Sequence, residues 1–429
     1  MKTKLERVAE KATSDHRVKF TSLAHLLSEE FLAETWQKLN KRGAAGVDRE
    51  TIGEFQNNLQ DRIMNLHERI KSGRYKAPPV RRAWIPKGEG KFRPLGIPTV
   101  EDRLLQASVA RILSAIYEPD FLDCSFGFRP GRSAHDALRR LRSYIIGGKV
   151  MQIFEADIRS YFDRVNHDWL RNMLRHRIAD PVVLRLIDKW LRAGVMDSGL
   201  KVLTEEGVPQ GGPVSCILAN IYLHYCLDLW FEKQVMPTCK GEAYLVRYVD
   251  DFVAGFQYLK DAEQFGSLLT ARFGKFKLEL AGEKTRRITF GRFARERLSI
   301  IGQQPEEFTF LGFRHICGID RKGKYTLVRL PGKKSTRKFL DKVKLWLKEH
   351  MHWKVREQQK QLSLMLRGFY QYFALPHCSP KLSRVLEIVT RYWRTILRRR
   401  SQRSKTHWSY LTTQSWFKLP TPVSLHPDV

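Results

Sequence analysis

The stretch YLVRYVDDFVAGF, residues 244–256, sets two adjacent aspartates, Asp250 and Asp251, between two short apolar runs. Runs of this length, rich in valine and aromatic residues, read as strands, and a two-residue connection is hairpin length. Aspartate suits such a turn because its short polar side chain tolerates positive φ. Two carboxylates against apolar strands are costly to bury unpaired. A divalent cation offsets that cost, and magnesium is typically held by one or two carboxylates plus water and substrate phosphates. A third carboxylate is available in MQIFEADI, residues 151–158. As a strand this segment puts Phe154, Ala156 and Ile158 on one face and Glu155 and Asp157 on the other. By itself an Asp-Asp pair also fits an ordinary surface hairpin, so the rest of the chain has to decide.

Charge narrows the choice. Lys and Arg number 76 against 45 Asp and Glu in 429 residues, a formal net charge of +31. Self-repulsion on that scale is relieved by a polyanion, and counterion release from phosphates draws nucleic acid onto basic surfaces. Hydrophobic residues make up 42%, enough for several cores. At about 100–200 residues per domain, the length suggests roughly two to four domains. The six cysteines, Cys124, Cys216, Cys226, Cys239, Cys317 and Cys378, form no C-x-x-C. That argues against a zinc site or a disulfide framework and fits a reducing cytosol. The N-terminus, MKTKLERVAEKATSDHR, lacks the apolar region of a secretory signal. No run approaches the ~18 apolar residues of a spanning helix. The expectation is a soluble, cytoplasmic protein with no membrane partner.

Residues 1–50 look helical as far as KRGAAGVD, where Asp48 is placed to N-cap the next helix. VRRAWIP is extended, and residues 101–117 (EDRLLQASVARILSAIY) carry apolar groups at helical spacing. The middle, roughly 150–315, mixes strands and helices. From about 325 the character turns helical, after a composition shift at RKGKY and PGKK that marks a domain boundary near 320–335. There LSRVLEIVTRYWRTIL lines up Leu382, Val385, Leu386, Val389, Trp393, Ile396 and Leu397 on one stripe. Arg398, Arg399 and Arg400 close it, where cations suit a helix C-terminus.

Order of motifs decides the reading of the aspartates. EADIRSYFDRVNH, GVPQGGPVSCILANIYL, RYVDDFVAGF, LAGEKT and FTFLGF follow one another along the chain. Together they resemble the palm of reverse transcriptases. KRGAAGVDRETI, PLGIPTVEDRLLQ, SFGFRPGRSAHDAL and LRGFYQYF make the resemblance specific to the group II intron type. It covers nearly the whole chain, from about residue 40 onward. It implies an α+β right-hand polymerase: an N-terminal extension (1–60), fingers (61–150), a palm with an antiparallel sheet and part of the fingers (151–320), and a helical thumb (325–378). A small helical C-terminal region (379–429) of maturase type, binding RNA or DNA, would follow, with no HNH endonuclease module and hence no DNA cleavage by the chain itself.

The same resemblance assigns residues. Asp157, Asp250 and Asp251 match the metal-binding triad, with the Ile158 carbonyl as a further ligand. Two Mg2+ ions are implied, for which Mn2+ can substitute. Phe162 matches the aromatic that blocks a ribose 2′-hydroxyl. Gln210 and Gly211 match the nucleotide-contacting P-Q-G loop, where glycine lets backbone approach closely. Lys87 and Arg93, in WIPKGEGKFRPLGIP, match the residues that grip the triphosphate, and Lys284, in LAGEKT, a lysine near it. Basic helices at 334–400 resemble the thumb and RNA-binding region. In the first of them Phe339, Leu340, Val343 and Trp346 or Leu347 form the apolar stripe, with Lys338, Lys342, Lys344 and Lys348 around it. Lys338, Lys342 and the Arg398, Arg399 and Arg400 cluster are the candidate nucleic-acid contacts, reading backbone shape rather than bases.

Two positions depart from the family pattern. Val249 stands where alanine is usual, and Ser160 where a glycine usually precedes the aromatic pair. Implied partners are an RNA template, a DNA or RNA primer, dNTPs and a cognate group II intron RNA; the oligomeric state is open, a homodimer included. Three functions compete. The first is an intron-encoded RNA-directed DNA polymerase that also assists splicing. The second is a freestanding relative that repairs host DNA breaks by short-primer synthesis. The third is a non-catalytic maturase, against which an intact aspartate triad argues.

Overall fold

Strand pairing gathers the apolar runs of the middle of the chain into one antiparallel sheet. The computed structural model describes residues 3–88, 91–197, 200–202, 206–400 and 407–429; the side chains of Lys87, Lys91, Lys201 and Lys284 are outside this description. The strands are β1 (Val80–Gly88), β2 (Lys91–Ile97), β3 (Gln152–Asp157), β4 (Val195–Asp197), β5 (Leu200–Val202), β6 (Ala243–Tyr248), β7 (Asp251–Phe256), β8 (Arg286–Thr289), β9 (Phe308–Phe310), β10 (Phe313–Ile319) and β11 (Tyr325–Pro331). They form three sheets, in the orders β2-β1-β4-β5, β6-β7-β3-β8 and β11-β10-β9. With helices before, between and after them, this is the α+β layout that the resemblance implies.

The central sheet, β6-β7-β3-β8, is the palm. Both of its faces are covered, so it separates two cores. Phe154, Ala156, Phe252 and Phe256 belong to one core. Ile153, Val246, Val253 and Ile288 point the other way. Alternation therefore puts Glu155 and Asp157 on the Ile153 face, as the sequence predicts. Phe265, on the Leu259–Lys275 helix, packs edge-on against Phe154 and tilted against Phe256, with centroids 5.2 and 5.1 Å away, on the back of the sheet.

The helix expected over 101–117 runs Val100–Tyr117, N-capped by Thr99. The expected Asp48 cap is not made. The helix there begins at Ile52, with Thr51 as N-cap and Glu54 completing a capping box. A reciprocal Thr-x-x-Glu pair satisfies two orphan donors, which outcompetes an aspartate three residues upstream. Asp48 instead accepts from the Glu50 N–H at 3.2 Å.

The helical character expected from 325 begins at Lys333, because residues 325–331 pair with β10 as a strand. One helical run, Pro213–Thr238, is long and apolar enough to cross a membrane by length and composition, contrary to the reading of the bare sequence. Most of its most apolar window, 83%, is buried inside the protein, as befits a core helix of the palm. The basic helices then follow, Lys333–Glu349, Val355–Phe373 and Ser379–Arg399. The predicted stripe on the last of these is the buried one: Leu382, Val385, Val389, Trp393, Ile396 and Leu397 are all in the core, and Leu386 packs against it.

Candidate active site

Register brings the acids together. β3 and β7 pair antiparallel with Asp157 directly opposite Asp251. β6 and β7 pair through Tyr248 and Asp251, which leaves Val249 and Asp250 as the two turn residues. The turn is thus one residue earlier than the sequence suggests, and Asp251 is already on the strand. Positive φ falls on Val249, at 61°, not on an aspartate. Positive φ at the first turn position alone is the pattern of a type II′ turn, where glycine is usual. A β-branched residue there is strained, at about 1–3 kcal/mol.

All three aspartates are partly exposed. They line a cavity of about 890 Å3. Burial pushes the Asp251 carboxyl up to about 7 against a donated hydrogen bond from the Leu311 N–H, and the charges of Asp250, Asp157 and Glu155 add to the rise. That N–H lies 3.4 Å from Asp251 Oδ2. A carboxyl this reluctant to ionise, with two further carboxylates beside it, suits a divalent cation, which replaces the proton and offsets the repulsion. Among the described residues no group of three or more His, Cys, Asp or Glu side chains is arranged to hold a metal ion by itself. A magnesium site completed by nucleotide phosphates does not need one.

Several predicted residues meet at this cavity: Arg93, Ile158, Phe162 and Gln210 line it with the aspartates. Ile158 is buried and bridges to Leu280, while the Asp157 carbonyl accepts from the Ala281 N–H at 2.8 Å. Phe162 packs edge-on to Tyr161 at 5.4 Å. Ser160, just before that pair, has φ 46° and ψ 47°. The left-handed backbone explains why glycine is usual at that position, and serine occupies it at a steric cost. Gly211 has φ 117°, and a Cβ there would lie 2.5 Å from the Gly96 carbonyl, so the loop after Gln210 packs against β2 only as glycine.

Other predicted residues lie elsewhere. Lys338 and Lys342 are exposed on the Lys333–Glu349 helix, around buried Val343 and Leu347. Arg398 and Arg399 end the last long helix, and Arg400 is its C-cap. None of these lines the cavity. The Lys87 and Lys284 side chains fall outside the described residues.

Sequence reasoning missed the cavity's far wall. Glu155, on the acid face, accepts from Arg286 Nε at 2.9 Å, and Arg286 also donates to the Glu307 carbonyl at 3.0 Å. Glu307 in turn pairs with Arg314, and Lys333 and Lys334 also line the cavity. The only prior signal was the basic density of EKTRRITF and PGKK.

The chain also matches known proteins. Residues 85–315, just over half of the chain, match the family of reverse transcriptases (RNA-dependent DNA polymerases). Residues 336–413 match the group II intron maturase-specific domain. The chain belongs to the group II intron-type reverse transcriptases. It is 32% identical to protein YkfC of Escherichia coli (strain K12), over 82% of this chain and 96% of that protein. It is also 38% identical to the group II intron-encoded protein LtrA of Lactococcus lactis subsp. cremoris, over 51% of this chain and 37% of LtrA. With nuclear intron maturase 1, mitochondrial, of Arabidopsis thaliana, it shares 33% identity over 22% of the chain. The reverse transcriptase match spans the sheet that carries Asp157, Asp250 and Asp251, and the maturase match spans the basic helices.

Proposed function

We propose that this reverse transcriptase extends a primer 3′-hydroxyl with dNTPs on an RNA template, using Asp157, Asp250 and Asp251 as carboxylate ligands. The observation that carries the proposal is the pairing of Asp157 with Asp251 across two strands, with Asp250 in the adjoining turn. Two divalent cations held by these carboxylates, Mg2+ or Mn2+, would supply activation of the attacking hydroxyl and stabilisation of the leaving pyrophosphate. The protein's own part is orientation. Arg93, exposed on β2 at the cavity rim, neutralises triphosphate charge, together with Lys87 and Lys284. Gln210 and Gly211 border the nucleotide, and the Phe162 ring closes the space a 2′-hydroxyl would need.

Asp250→Asn should lower primer extension by on the order of 10³-fold or more, since it removes several kcal/mol of charge stabilisation. Full retained synthesis would remove the polymerase assignment from these residues. Phe162→Ala should raise NTP incorporation relative to dNTP; unchanged discrimination would remove the gate.

The maturase-type helices and the likeness to LtrA support binding of a group II intron RNA and assistance to its splicing. Val249, in place of the usual alanine beside the catalytic pair, favours a second reading: a freestanding enzyme of DNA break repair that works on short primers. A group II intron ribozyme encoded around the gene would decide for the first, and its absence for the second.

A further inference from the structure

Arg247 lies two residues before the strained Val249, and its side chain is wholly buried. A guanidinium has five N–H donors in a fixed planar fork. Each of them has an acceptor here. Nε and Nη2 donate to the two carboxylate oxygens of Asp228, at 2.7 and 2.5 Å. Nη2 also donates to Ser125 Oγ at 2.8 Å. Nη1 donates to Asn220 Oδ1 at 3.1 Å and to the Val249 carbonyl at 2.9 Å. Asp228 is itself fully buried, within the long apolar helical run of the palm.

The last of these bonds bears on the active site. The Val249 carbonyl belongs to the peptide plane that joins Val249 to Asp250. Holding its oxygen sets the rotation of that plane, and with it the direction in which Asp250 leaves the backbone. The same turn packs closely against Gly127. A Cβ on Gly127 would sit 2.4 Å from Val249 Cγ2 and 2.7 Å from the Val249 nitrogen. Asn220 joins wall and clamp, because its Nδ2 donates to the Gly127 carbonyl at 2.7 Å while its Oδ1 accepts from Arg247. Left to itself, a valine at this position relaxes to negative φ. The surroundings over-determine the strained state, as is typical of backbone strain kept at functional sites.

We propose that the buried Arg247–Asp228 pair, with Asn220 and Gly127, is the positioning device that holds Val249 in the left-handed turn and so presents Asp250 beside Asp157 and Asp251. This rests on the reading of those aspartates as the polymerase site. Arginine is required because only its fork reaches the carboxylate and the turn carbonyl at once; a lysine ammonium is a point charge without that geometry.

The decisive comparison is Arg247→Lys, Val249→Gly and the double variant against the wild type. The readouts are single-nucleotide incorporation (kcat and KM for dNTP), template–primer affinity, thermal midpoint, and Mn2+ affinity of the protein without nucleic acid. Arg247→Lys should lower kcat by about 10²-fold, the effect of misplacing a catalytic group by about 1 Å. It should weaken Mn2+ binding and leave template–primer affinity unchanged. Glycine adopts the turn without a clamp. Val249→Gly in the Arg247→Lys background should therefore restore kcat by about tenfold or more, with Mn2+ affinity following. A double variant no more active than Arg247→Lys alone overturns the proposal. Should Arg247→Lys fail to fold, Asn220→Ala keeps the ion pair and serves in its place, with a loss of about tenfold and the same rescue expected. An inactive wild type would instead refute the polymerase reading, so the two failures are distinguishable.

Discussion

Two arginines show how differently this basic protein uses one residue type. Arg247 in the palm and its partner Asp228 are fully buried, 2.5 Å apart, with every guanidinium donor committed. Arg337, on the Lys333–Glu349 helix, faces Asp341 at 3.9 Å with 87% and 68% of the two side chains exposed. A surface pair of that kind adds little to stability. Around it Lys334, Lys338, Lys342 and Lys348 are exposed too. The central sheet commits this buried charge to one backbone geometry, the turn at Val249. The Lys333–Glu349 helix keeps its charge in water, on long flexible side chains.

The contrast can be broken most directly at Asp228. Asp228→Ala leaves a buried guanidinium without its counter-charge, and urea unfolding should show a loss of about 3–5 kcal/mol. A loss no larger than that of an ordinary surface substitution would mean that water or a neighbour relieves the charge.

A buried carboxylate without a cation sharpens the same comparison. Asp102 is 1% exposed. It accepts from Trp190 Nε1 at 2.7 Å, from Gln106 Nε2 at 2.9 Å and from the Tyr75 hydroxyl. Burial pushes its carboxyl up to about 6 despite those donors. The unfolded chain ionises first, near 3.8, so the folded state holds the extra proton between about pH 4 and 6. The stability this contributes is complete below the unfolded value and is lost as pH rises through the folded one, a swing of about 3 kcal/mol. Asp102→Asn should flatten that part of the stability–pH curve. An unchanged slope between pH 4 and 6 would show that Asp102 is already ionised in the fold.

The smallest effects belong to the thumb. Lys338→Glu with Lys342→Glu should leave the thermal midpoint within about 0.5 kcal/mol-equivalent of the wild type, as for most surface changes. If each lysine meets one phosphate, the slope of log affinity against log salt for template–primer should fall by about 1 per lysine. An unaltered slope would make this face ordinary solvated surface.

Much of this was legible beforehand because local pattern governs it. Alternation in MQIFEADI placed Asp157 on the acid face, and helical spacing marked the Leu382 to Leu397 stripe that the structure buries. The order of motifs singled out the aspartates. Where local signals compete, the reading slipped. A capping box at Thr51 displaced Asp48, and strand pairing carried residues 325–331 into a sheet. Arg247 and Asp228 are nineteen positions apart and each reads as an ordinary charge on an apolar element. Nothing local says that they meet.

What the sequence determined by itself is therefore the local material: three carboxylates, strands to carry them and a basic excess of charge. These follow from residue type and short-range periodicity. Only the tertiary structure decided the geometry of the turn. Positive φ at Val249 is disfavoured locally and persists because distant groups, the Arg247 fork and the Gly127 wall, leave the peptide before Asp250 no other place to lie.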